Sequence, residues 1–72
     1  METMWKPLAD IPWDELYIGM EVVFSDDTPG MITDLTESVD RDTDLVWIRW
    51  HKSRGESYTI HRHVRSILGR IP

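Results

Sequence analysis

Apolar side chains alternate with polar ones along much of this chain. The pattern is clearest over residues 45–51, where Val46, Ile48 and Trp50 interleave with Trp47, Arg49 and His51. Successive side chains of a strand point to opposite faces, so the first set predicts a buried face and the second an outward one. Val, Ile and two Trp within seven positions, with no Gly or Pro, favour strand over helix. Residues 52–56, KSRGE, carry the turn, with Gly55 free to take a positive φ. The return strand covers residues 57–60, and Tyr58 and Ile60 are its expected inner residues.

Upstream, residues 20–25 predict another strand with Met20, Val22 and Phe24 on one face, and residues 26–30, DDTPG, a turn. A strand over residues 31–37 follows, but its apolar Ile32 and Leu35 lie three apart. Same-face residues of a regular strand are two apart, so this spacing predicts a bulge or sharp bend near Asp34. Residues 38–44 form a polar, acidic loop. Residues 61–66 are too short and basic for a stable helix and predict a single 3₁₀ turn, which feeds a last strand over residues 67–71.

Residues 10–19 predict one short helical turn, with Pro12 at its first position, Asp14 and Glu15 against its positive end and Gly19 at its exit. Ile11, Leu16, Tyr17 and Ile18 are then placed to cover one end of a barrel. Residues 1–9 have no periodicity and read as a loosely docked arm, in which Trp5 needs a surface to rest on.

Five short strands, a bent second strand and a helical turn before the last one predict an all-β fold. The expected form is a small five-stranded SH3-like barrel over residues 19–72, preceded by the arm and short helical turn of residues 1–18. The segments Gly19-Met20-Glu21-Val22 and Gly30-Met31-Ile32-Thr33-Asp34-Leu35 resemble the opening of KOW and Tudor-type SH3-like barrels. Val46-x-Ile48-x-Trp50, Gly55 and Tyr58-x-Ile60 are similar to their central hairpin, and the order of elements also resembles small phage-encoded proteins of this type. The resemblance covers residues 19–68. It implies a fold and is nearly silent about function, and KOW modules that bind RNA carry basic residues at the first turn, where this chain has Asp26 and Asp27, so RNA binding through that loop is not expected.

Composition adds limits. A 72-residue chain without cysteine has a small core and no disulfide to support it, so its four Trp, two Tyr and one Phe, or dimerisation, must compensate. No apolar run reaches the length of a membrane span and the first residues do not read as a secretory signal, so a soluble cytoplasmic protein is expected. The net charge of −5 conceals a split. Residues 1–44 hold two basic and twelve acidic residues, a balance of −10, and residues 45–72 hold six basic and one acidic, a balance of +5. Either the halves form separate binding surfaces or they fold together and interleave.

Asp40, Asp42 and Asp44 alternate like the start of a calcium loop, but Leu45 and His51 stand where Gly and a bidentate Glu are required. His51, His61 and His63 are a candidate zinc set without an evident second shell, and an interface role explains them as well. No metal or cofactor is expected. Trp47, Tyr58 and Trp50 raise an aromatic cage for a methylated cation, although Trp50 and Tyr58 are expected inside. No nucleophile motif or phosphate-binding loop occurs, so an enzyme is not expected. The favoured expectation is a non-catalytic module that docks on a partner protein through Trp47, Arg49 and His51, with Trp5 and Trp13. Its acidic half suits a partner with a basic face and can present carboxylates in place of DNA phosphates. The alternative is direct nucleic-acid binding through Arg49, Lys52, Arg54, Arg62, Arg65 and Arg70.

Overall fold

The computed structural model describes residues 4–51 and 56–71. They form six strands, β1 (Met4–Pro7), β2 (Glu21–Phe24), β3 (Pro29–Thr36), β4 (Leu45–Trp50), β5 (Glu56–Ile60) and β6 (Ile67–Ile71). All pairings are antiparallel and the order in the sheet is β1-β6-β2-β3-β4-β5. Three 3₁₀ turns, Leu8–Asp10, Trp13–Glu15 and His61–His63, complete the regular structure. The domain is mainly β, as the alternation predicts.

One face of the sheet is packed. Val22 on β2, Ile32 on β3, Val46 and Ile48 on β4 and Ile67 on β6 meet Leu8, Ile11, Leu16, Met20 and Val64 from the connecting segments. A backbone hydrogen bond from Ala9 to the Val64 carbonyl, 3.1 Å, ties the first and last of these segments together. The bend expected near Asp34 is present. Ile32 pairs with Ile48 and Asp34 with Trp47, so Thr33 is the extra residue of a bulge. It lets Ile32 and Leu35 both turn toward the core despite their spacing of three.

Four expectations are corrected. Residues 4–7 are not an arm but a sixth strand, because Met4 to Pro7 find their backbone partners on β6 in residues 71 to 68. That partner is more than 60 positions away, so local periodicity carries no trace of it. Leu8, which follows β1, is fully buried. Within residues 10–19 the expected short turn is the 3₁₀ turn Trp13–Glu15, with Pro12 at its N-cap rather than its first position, and another 3₁₀ turn, Leu8–Asp10, precedes it. Ile11 and Leu16 are buried as expected, whereas Tyr17 and Ile18 are exposed beside Gly19, whose φ is +98°.

The fourth correction concerns β5. Trp47 pairs with Tyr58 and Ile48 with Ser57 across the hairpin, and paired residues share a face. Tyr58 therefore points outward with Trp47 and is 61% exposed. The turn at Gly55 that would set this register from sequence lies outside the described residues. Phe24 keeps the face of Val22, since it pairs with the buried Ile67, but at the end of β2 it stays 38% exposed, edge-on to Trp50 at 5.8 Å.

Candidate functional site

The second face of the sheet carries no covering layer among the described residues, and register lays its side chains out in rows. Trp5 pairs with Arg70, Glu21 with Met31, Met31 with Arg49 and Arg49 with Glu56. Arg70 closes the series with an ion pair to Glu21 at 2.8 Å. One exposed row, Trp5, Arg70, Glu21, Met31, Arg49 and Glu56, thus crosses all six strands. Its charges alternate in sign, with two apolar side chains, Trp5 and Met31, set among them.

The row is locally braced. Arg49 meets Glu56 at 3.5 Å, and the hydroxyl of the bulged Thr33 donates to the other Glu56 oxygen at 2.7 Å. The bulge thus turns a polar side chain onto this face as well as bending the strand. Further along, Trp47 and Tyr58 stack at 5.1 Å with a 51° tilt, and the Trp47 indole donates to the Thr36 hydroxyl. Ring contact and hydrogen bond together hold Trp47 in one orientation, a property of residues that anchor interfaces.

On the other side of the row lies a cleft of about 750 Å³. Trp5, Val23, Pro29, Met31 and Leu68 form its apolar lining, His51 is a polar neighbour among them, and Glu21 and Asp27 are the carboxylates on its wall. Four of the residues expected at a partner site, Trp5, Trp47, Arg49 and His51, share this face. Trp13 does not. It is half-buried against the core, its indole donating to Glu37 at 3.1 Å and its ring edge-on to His61 at 5.4 Å. The isolated position of Trp13 in the sequence gave no sign of this partner 48 residues away. Met31 and the Asp27 carboxylate were missed by sequence reasoning. Period-two alternation with Ile32 could have put Met31 on the outer face, though not beside Arg49, and no local signal marks the second.

The basic residues are dispersed. Arg62 pairs with Asp42, Arg65 with Asp10 at 3.1 Å and Arg70 with Glu21, each joining the basic half of the chain to the acidic half. The charges interleave, so the −10 and +5 segments do not form two separate surfaces at these pairs. Lys52 and Arg54 lie outside the described residues. The acidic loop is likewise closed on itself. Asp44, 3% exposed, accepts the Ser38 backbone N–H at 2.7 Å and the Arg41 guanidinium at 3.0 Å. Those donors, Ser38 first, hold the Asp44 carboxyl below the ordinary range. The Ser38 hydroxyl and then the Asp42 N–H do the same for Asp40.

The three histidines do not converge. His51 lines the cleft, while the His61 Nε2 is 2.7 Å from the Ile11 carbonyl, to which it must donate because a carbonyl only accepts. Among the described residues no group of three or more His, Cys, Asp or Glu is placed to hold a metal ion. Trp50 does not join Trp47 and Tyr58 in a cage. It lies against the core and donates to the Ser57 hydroxyl at 3.1 Å. Among the described residues no helix is long and apolar enough to cross a membrane. No protein-family model, curated protein or solved structure matches the chain.

Proposed function

We propose that the chain is a non-catalytic docking module that binds a partner protein with the outward face of its sheet. The observation that carries this reading is the exposed row from Trp5 to Glu56 beside an apolar cleft, on a sheet whose other face is already packed. Exposed apolar surface rimmed by polar groups is a common mark of protein interaction sites. Aromatic side chains held in fixed rotamers, such as Trp47 with Tyr58, lose little freedom on binding. We further assign the sheet to the small SH3-like barrel class of the KOW and Tudor type. Its support is the strand order β6-β2-β3-β4-β5, the bulge in β3 and the 3₁₀ turn that precedes β6.

Direct nucleic-acid binding is the weaker reading, because Arg49, Arg62, Arg65 and Arg70 each face a carboxylate. A pull-down with the tagged chain separates the two. Proteins recovered by the wild type are expected to be lost with the double variant Met31→Glu, Trp47→Ala and retained with Val39→Ser, a change at an exposed loop position. Equal recovery with all three overturns the docking face. A salt-sensitive anisotropy change with a labelled oligonucleotide favours the nucleic-acid reading instead.

A further inference from the structure

The outward face is not uniform in charge. Along the row, Arg70 answers Glu21 and Arg49 answers Glu56, so the row needs no charge from outside. The cleft differs. Its lining is dominated by apolar side chains, and one of its walls carries Asp27. The Asp27 side chain makes no hydrogen bond or ion pair among the described residues, while its backbone N–H donates to the Phe24 carbonyl at 2.8 Å. Its φ of +69° lies in the left-handed region, which few side chains other than Asp and Asn adopt readily. This turn thus sets beside apolar surface a carboxylate that no cation among the described residues pairs.

Such a site selects its occupant by charge. Phosphate-bearing ligands are repelled by Asp27, and a purely apolar chain leaves the carboxylate partly desolvated without a partner. A cation beside an apolar group satisfies both parts. The cleft volume falls within the range of roughly 300–1,000 Å³ common to ligand sites, which is room for side chains rather than for a folded element.

Resting on the docking reading above, we infer that the cleft receives an extended basic and apolar segment of the partner. A large apolar side chain enters among Trp5, Met31 and His51, and a neighbouring arginine or lysine closes on the Asp27 carboxylate. The test uses the full chain, labelled with nitrogen-15 and titrated by NMR with three end-blocked hexapeptides of alternating leucine and arginine, leucine and glutamate, or serine and arginine. The leucine–arginine peptide is expected to shift the Trp5 indole and the Val23 and Met31 amides, and the other two to bind about tenfold more weakly. Asp27→Asn keeps a residue suited to the left-handed backbone, and is expected to weaken the leucine–arginine peptide about threefold, the scale of one partly exposed ion pair.

Equal binding of the serine–arginine peptide overturns the cleft in favour of simple charge attraction. Equal binding of the leucine–glutamate peptide overturns the cationic occupant but leaves the docking face standing, as do shifts confined to Trp47 and Tyr58. Shifts at Trp5 that depend on protein concentration without peptide assign the cleft to a second copy of this chain and overturn the inference. Absence of any peptide-induced shift overturns it too, and the pull-down then decides the docking face separately.

Discussion

Gly30 lies under the Trp50 ring, and replacing it with alanine tests how tightly the sheet is built there. An added Cβ would stand 2.6 Å from Trp50 Cε3 and 3.0 Å from both Cζ3 and the Arg49 carbonyl oxygen. The first contact is with the middle of a rigid ring, so the ring must move. Trp50 is held by its hydrogen bond to Ser57 and its edge contact with Phe24, which the movement disturbs. Overpacking of this kind costs about 1–3 kcal/mol. Gly30 is not among the positive-φ positions, so alanine also restricts the unfolded chain and returns about 0.4–1 kcal/mol. The expected net loss is about 1–2 kcal/mol, which for a domain of this size lowers Tm by roughly 4–16 °C.

Urea unfolding at 25 °C gives the free energy, and the same glycine change in a Trp50→Leu background gives the control. Without the ring, Gly30→Ala should cost no more than about 0.5 kcal/mol, and the difference is the coupling between the two sites. A neutral Gly30→Ala, or the same cost in both backgrounds, would refute the packing of Trp50 against β3.

Three further outcomes are expected. Leu8→Ala should destabilise by about 2–5 kcal/mol in denaturant unfolding, since Leu8 is fully buried, while Tyr17→Ala should stay within about 0.5 kcal/mol of the wild type. Asp44 is held more acidic in the folded chain than in the unfolded one, so the folded state binds fewer protons as pH falls and stability drops below about pH 4. Asp44→Asn should therefore flatten the acid limb of a Tm-against-pH curve, and superimposable limbs would count against the Ser38 and Arg41 contacts. Arg65→Ala removes an exposed pair with Asp10 and should change stability by less than about 1 kcal/mol, checked by the same unfolding curves.

Much of the sheet was legible because its signals are local. The alternation over residues 45–51, the turn residues around Asp26 and the three-residue spacing of Ile32 and Leu35 each reflect forces acting within a few positions. What escaped depends on distant partners. Nothing in the segment MWKP marks it as a strand, and only β6 makes it one. Tyr58 is apolar enough for either face, and only its register with Trp47 assigns it to the outer one. The candidate site was legible in part. Trp47, Arg49 and His51 could be grouped by parity along one strand, whereas bringing Trp5 and Met31 beside them required the order of the strands.

Thr33 separates two properties that strands normally carry together. Removing it would leave Ile32 and Leu35 two positions apart, so ordinary alternation would still send both toward the core. No apolar residue would change sides. The loss would fall on curvature, and on the hydroxyl that reaches Glu56. A one-residue deletion is thus expected to preserve the hydrophobic inventory of the domain while altering its shape. Chain length at this point tunes how far the outward face of the sheet bows, independently of what the core contains.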